Sequence, residues 1–110
     1  MYYTYMLRCT DGSIYTGIAA DVSRRMKEHF TKDKRCAKYT RWHTAQKLEA
    51  IWQSEDRAAA SRLEYRIKRL SREQKEQLIA ENAMEQLLGN VLFVGEYRRV
   101  TLSIVGAEEL

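Results

Sequence analysis

Two runs of aromatic and β-branched residues meet at an Asp-Gly pair, and this stretch, Tyr3 to Ile18, leaves the chain few ways to begin its fold. Tyr, Thr and Ile suit a pleated, half-buried surface. Asp11-Gly12 between two such runs is a strong hairpin signal. Residues 2–8 and 14–18 are therefore predicted to be antiparallel strands. Loop length decides which side chains share a face, because side chains alternate and cross-strand partners point the same way. A two-residue Asp11-Gly12 loop would pair Thr10 with Ser13 and send Tyr5 and Tyr15 to opposite faces. A three-residue loop, Thr10 to Gly12 with Gly12 left-handed, pairs Cys9 with Ser13 and brings both tyrosines to one face. A site that uses both tyrosines requires the second arrangement, or a bulge of the same parity, and that is the one expected.

Asp21 can cap a helix over residues 22–30, with Val22, Met26 and Phe30 as its apolar stripe. Arg25 and His29 fall along one margin of that stripe, four apart and so projecting together. Taken alone, they would be a solvated cation and a packed edge histidine. Residues 31–46 are polar and basic, with Lys32, Lys34, Arg35, Lys38 and Arg41, followed by Lys47, and with Tyr39, Trp42 and His43 interleaved. Cations attract phosphates and aromatic faces stack on bases. The segment reads equally as a nucleic-acid contact or as a solvated connection with Tyr39 and Trp42 folded inward.

Leu48 to Ser54 is the next expected strand, with Leu48, Ala50 and Trp52 on one face and Glu49, Ile51 and Gln53 on the other. Asp56 opens a helix over about 57–70, striped by Ala59, Leu63, Ile67 and Leu70. Glu64 sits at the border of that stripe, with Lys68 one turn later in ion-pair reach. Ser71 and Gln74 form a capping box for a third helix, through about Asn82 or Leu88. Arg62, Arg66, Lys68, Arg69 and Arg72 give a basic helical face. Val91 to Val94 and Val100 to Val105 are predicted to be two strands around Gly95-Glu96.

Several of these positions, taken in order, resemble the signature of the GIY-YIG nuclease family, in its small single-domain bacterial (UPF0213-like) branch. Tyr3-Thr4-Tyr5 stands where the first triplet would, Tyr15-Thr16-Gly17 matches the second, and Arg25, His29 and Glu64 follow at family spacing. Tyr3 replaces the first glycine and Thr16 the isoleucine, and neither position carries the chemistry. The resemblance covers residues 2 to about 80. It implies an α/β fold, a small three-stranded antiparallel sheet flanked by helices. Residues 1–82 would be the nuclease-like domain. Residues 83–110 would be an extension of unknown role, with residues 89–110 either packing as an added hairpin or offering a contact for a partner protein or a second copy.

The activity implied is metal-dependent hydrolysis of phosphodiesters in DNA, in repair or processing, with branched or single-stranded DNA among the candidate substrates. The resemblance makes Glu64 the ligand of one divalent ion, Mg²⁺ with Mn²⁺ as the alternative. It gives Arg25 to the phosphate oxygens, Tyr5 to the general base, Tyr15 to orientation of water or phosphate, and His29 to proton transfer. Tyr5 and Tyr15 are interchangeable at this stage. Lys34, Arg35, Lys38, Tyr39, Arg41 and Lys68 are the candidate nucleic-acid contacts. A non-catalytic nucleic-acid-binding module, or a protein-interaction domain, is the alternative on the same fold.

Composition narrows the remaining possibilities. A chain of 110 residues suits one compact domain, and a net charge of +4 is mildly basic. No apolar run approaches the length of a membrane span, and residues 1–30 lack the pattern of a signal peptide. Cys9 and Cys36 stand alone, which argues against a zinc site and suits reduced thiols in a cytoplasmic chain.

Overall fold

The structure is a computed structural model that describes residues 1–31, 39 and 42–101. Among them, strands β1 (Tyr2–Cys9) and β2 (Ile14–Ala19) form the opening hairpin, followed by helix α1 (Val22–Phe30) and strand β3 (Ala45–Ser54). Helices α2 (Arg57–Lys68), α3 (Arg72–Glu81) and α4 (Met84–Leu88) come next, then a 3-10 turn (Val94–Glu96) and strand β4 (Arg98–Val100). The strands make one antiparallel sheet in the order β2-β1-β3-β4. The fold is thus α/β with helices on an antiparallel sheet, but the sheet has four strands where three were expected.

The loop parity is as predicted. Tyr5 pairs with Gly17 and Leu7 with Tyr15. The Cys9 amide donates to the Ser13 carbonyl at 2.9 Å and the Gly12 amide to the Cys9 carbonyl at 2.9 Å. Gly12 has φ +86°, the left-handed conformation that glycine takes without a steric penalty. Tyr5 and Tyr15 therefore share a face.

Both faces of the sheet are covered, by two separate clusters. Met6, Ala50 and Trp52 point to one face, under Leu63 and Ile67 of α2, Leu78 of α3, Met84 and Leu88 of α4, and Tyr97. Tyr5, Leu7, Ala19, Ile51 and Val100 point to the other, under Val22 and Met26 of α1. Leu48 joins this second cluster, contrary to the simple alternation with Ala50 and Trp52. The register shifts between Met6 and Leu7, which pair with Ala50 and Leu48, so Glu49 is an extra residue that turns Leu48 over. Phe30, expected in the stripe of α1, is 41% exposed.

The helix caps follow the sequence closely. The side chains of Asp21, Asp56 and Ser71 each accept from the third residue of their helix, and Ser71 and Gln74 complete the capping box. Asn82 ends α3 with φ +51°, the nearer of the two ends expected, and Met84–Leu88 is a separate helix. Its side chain accepts from Trp52 Nε1 at 3.0 Å.

The end of the chain differs from the expected hairpin. Residues 91–93 form no strand, Val94–Glu96 is a 3-10 turn, and Arg98–Val100 pairs with β3. Residues 102–105 of the predicted strand lie outside the described residues. Tyr97 is buried and its hydroxyl donates to the Ala59 carbonyl at 2.7 Å. Arg99 stacks over Trp52, 5.1 Å from the ring centroid. A chain ending at Gly89 is therefore expected to lose stability on the order of 3–5 kcal/mol, the scale of deleting one large buried aromatic. Urea unfolding of the two chains measures the loss.

Candidate active site

Four of the five residues singled out by sequence converge on one face of the sheet. The hairpin places Tyr5 and Tyr15 together, with ring centroids 6.3 Å apart. Helix α1 lays His29 between them, 5.6 Å from Tyr5 and 5.4 Å from Tyr15. Val22 and Met26 bury the helix against the sheet, and Arg25 and His29 ride on the margin of that buried stripe. His29 is fully buried.

Hydrogen bonds order the group further. The Tyr5 hydroxyl lies 2.8 Å from His29 Nε2. Arg25 also bonds that hydroxyl. A guanidinium only donates, so the hydroxyl oxygen accepts from Arg25 and its own proton is directed to His29. Burial, then the charge of Arg25, lowers the pKa of His29 to about 4, with Glu28 pulling the other way. The imidazole is thus neutral at pH 7 and can accept that proton. Burial, then the neighbouring Tyr15, raises the Tyr5 hydroxyl above its ordinary value of 10.0, and Arg25 offsets part of the rise.

Glu28 was not singled out from the sequence. It is nearly buried, and its Oε1 accepts from Arg25 Nη1 at 2.6 Å while Oε2 lies 3.6 Å from Arg24 Nε. Its position three residues after Arg25 was the one available signal, since such pairs meet on a helix surface. Glu28 thereby fixes Arg25 from below. Arg24 and Arg25 line an open groove of about 290 Å³ together with Ile18, Ala20 and Asp21.

Glu64 approaches from α2, on a different element, and its negative charge raises the Tyr5 pKa slightly. Its side chain is 23% exposed and pairs with Lys68 at 3.2 Å, the one-turn partner anticipated above. Among the described residues, no three His, Cys, Asp or Glu side chains gather as a metal cage. A hard cation held by one carboxylate, substrate oxygens and water does fit, because Mg²⁺ retains several waters and prefers oxygen.

Gly17 fixes the approach of the tyrosines. A Cβ there would lie 2.5 Å from the Tyr5 hydroxyl oxygen and 2.9 Å from Tyr15 Cε2. Gly17→Ala is therefore expected to displace the Tyr5 ring and to cost about 1–3 kcal/mol by overpacking. Thermal unfolding would show the cost, and a loss of the upfield or downfield tyrosine ring shifts by NMR would show the displacement.

The basic segment is only partly placed. Lys32, Lys34, Arg35, Lys38 and Arg41 lie outside the described residues. Tyr39 stacks on Tyr15 at 5.4 Å and 29°, which brings it into the site, while Trp42 is 80% exposed.

The chain is similar in sequence to known proteins. The model of the GIY-YIG catalytic domain family matches residues 1–77. A UPF0213 protein of Fusobacterium nucleatum subsp. nucleatum is 44% identical over 79 residues, 72% of this chain and 77% of that protein. A UPF0213 protein of Halobacterium salinarum is 46% identical over 78 residues, 71% of this chain and 99% of that protein. The solution NMR structure of a UPF0213 protein from Bacillus halodurans is 41% identical and covers 83% of this chain and 97% of that one, with a TM-score of 0.48.

Proposed function

The chain belongs to the GIY-YIG family, and from that premise we propose that it is a metal-dependent nuclease that hydrolyses phosphodiester bonds in DNA during repair or processing. The observation that carries this reading is the hydrogen-bonded group of Tyr5, His29 and Arg25, with Tyr15 against it and the charge of Glu64 in reach. Hydrolysis needs an activated water and positive charge on the phosphate as negative charge builds there. Tyr5 takes the proton of the attacking water, and His29, neutral and already bonded to the hydroxyl, receives the proton that Tyr5 gives up. Arg25 turns its remaining donors to the non-bridging oxygens, where a guanidinium fork matches the geometry. Glu28 keeps that fork from swinging away. Tyr15 orients water or phosphate beside Tyr5.

Glu64 would hold the divalent ion, Mg²⁺ or Mn²⁺. Bound there, the ion would supply positive charge to the phosphate and the leaving oxygen. Lys68 pairs with Glu64 and borders the same edge, which suits a phosphate contact. No helix among the described residues is long and apolar enough to cross a membrane.

The direct test is cleavage of branched, single-stranded and duplex DNA, with and without Mg²⁺. Product from at least one of these, dependent on the ion, is the expected outcome. DNA binding without turnover on all three would instead mark a nucleic-acid-binding module.

A further inference from the structure

We propose that Asp11 and His43 are positioning residues for Tyr15. The turn carboxylate holds the imidazole, the imidazole holds Tyr39, and Tyr39 holds the Tyr15 ring in place. The proposal rests on the nuclease reading given above.

Each link is short. Asp11 Oδ2 lies 2.6 Å from His43 Nδ1. The His43 ring lies on that of Tyr39, with centroids 4.2 Å apart and planes 17° from parallel. Tyr39 lies on Tyr15 in turn, at 5.4 Å and 29°. The His43 amide also donates to the Tyr39 carbonyl at 2.9 Å, which couples the two residues through the backbone. Beyond Tyr15 stand His29 at 5.4 Å and Tyr5 at 6.3 Å.

The near end of this chain is anchored. Asp11 Oδ1 accepts from the Ser13 amide at 3.0 Å and from Ser13 Oγ at 2.6 Å, a local turn bond of the kind aspartate favours. Arg72 Nη2 donates to the Gly12 carbonyl at 2.6 Å from the far side of the turn. The Thr10 amide donates to the Thr44 carbonyl at 2.8 Å, next to His43 itself. Asp11 is thus a fixed acceptor on the hairpin, and His43 is fastened to it across 32 residues of sequence. Ser13, His43 and Asp11 do not form a nucleophilic triad. The serine hydroxyl is bonded to the carboxylate, 3.5 Å from the same imidazole nitrogen that the carboxylate holds.

The arrangement answers a need of the site. The sheet register places the Cα of Tyr15, but two side-chain torsions remain to be set. Tyr39 restricts the ring, and Tyr39 belongs to a connection between α1 and β3 rather than to the sheet. Asp11 and His43 secure that connection at the hairpin. Neither touches Tyr5, His29 or Arg25 among the contacts described, so their effect passes through Tyr15.

The test compares His43→Leu, which loses both the stack and the bond, with Asp11→Ala and Asp11→Asn. Asparagine keeps an oxygen for the Ser13 turn and an amide that can bond the imidazole. His43→Leu and Asp11→Ala are expected to lower kcat by about tenfold to a hundredfold, the cost of a displacement near 1 Å, with KM within about twofold. Asp11→Asn should recover most of that loss, which a general weakening of the fold would not predict.

A second measurement does not depend on turnover. In protein labelled with 3-fluorotyrosine, the Tyr15 and Tyr39 fluorine resonances should move in His43→Leu, while that of Tyr65 should not. Unmoved Tyr15 and Tyr39 resonances, or an unchanged kcat in an active protein, would overturn the proposal. An inert unmutated protein would overturn the nuclease reading, and the fluorine spectrum would still decide whether His43 holds Tyr15.

Discussion

Glu64→Ala is expected to lower Mg²⁺-dependent cleavage by about three orders of magnitude or more, because a metal's charge stabilisation is worth several kcal/mol and each 1.36 kcal/mol is tenfold in rate. The same substitution should barely change the fold. Glu64 is partly exposed and its ion pair with Lys68 is of the surface kind worth at most about 1 kcal/mol. Its thermal midpoint should therefore stay close to that of the parent. DNA affinity should persist or rise, since an anion beside the phosphate has gone. Cleavage and midpoint measured on the same preparations separate the cases. Unchanged cleavage would remove Glu64 from the site, and a collapsed midpoint would make it structural.

Tyr5→Phe should be nearly as severe for turnover, by about 10²- to 10⁴-fold, the range of general acid–base catalysis. DNA binding should be retained, because Arg25 and the basic residues remain. Stability should fall modestly, by about 1–3 kcal/mol, since His29 Nε2 loses its buried partner.

The pH dependence follows from the same pair. Burial and Tyr15 hold the Tyr5 hydroxyl above 10.0, so its ionised fraction grows about tenfold per pH unit throughout the neutral range. Cleavage is expected to climb with pH from 7 to 9 if ionisation precedes attack, and to be flat if the proton passes to His29 in the same step. Stability too declines toward acid pH. The folded pKa of His29, about 4, lies below its ordinary 6.5. Its contribution is complete above about 6.5 and is lost as the pH falls from there through about 4.

Much of this site could be read from local chemistry. One glycine, left-handed at position 12, set the loop parity and with it the shared face of Tyr5 and Tyr15. Asp21, Asp56 and Ser71 marked their helix starts because a cap is a contact across three residues. The features that escaped depend on distant partners. Leu48 changed face because Glu49 is an extra residue, and no alternation pattern reveals a bulge. The three residues of β4 are too few to show a period, and they became a strand by meeting β3. Phe30 satisfied the helical stripe, yet as the last residue of α1 it is exposed where Val22 and Met26 are buried. Asp11 and His43 carried no joint signal, since 32 residues separate them and only the fold brings them together.

The brevity of β4 has a further consequence. Among the described residues it pairs with Ile51, Trp52 and Gln53, and no described strand pairs with the outer edge of the first half of β3. Such an edge is a template on which another chain can add itself as a strand, the first step of sheet-mediated aggregation. Three details blunt it here. The extra residue at Glu49 bends the strand, and Lys47, with its side chain 70% exposed, puts a charge on it. Arg99 Nη2 donates to the Glu49 carbonyl at 3.2 Å and so occupies an acceptor that an incoming strand would use. A guanidinium held on Trp52 by stacking thus occupies part of that edge, and Arg99→Ala is expected to lower the concentration at which the protein stays in solution, though the residue is remote from the chemistry.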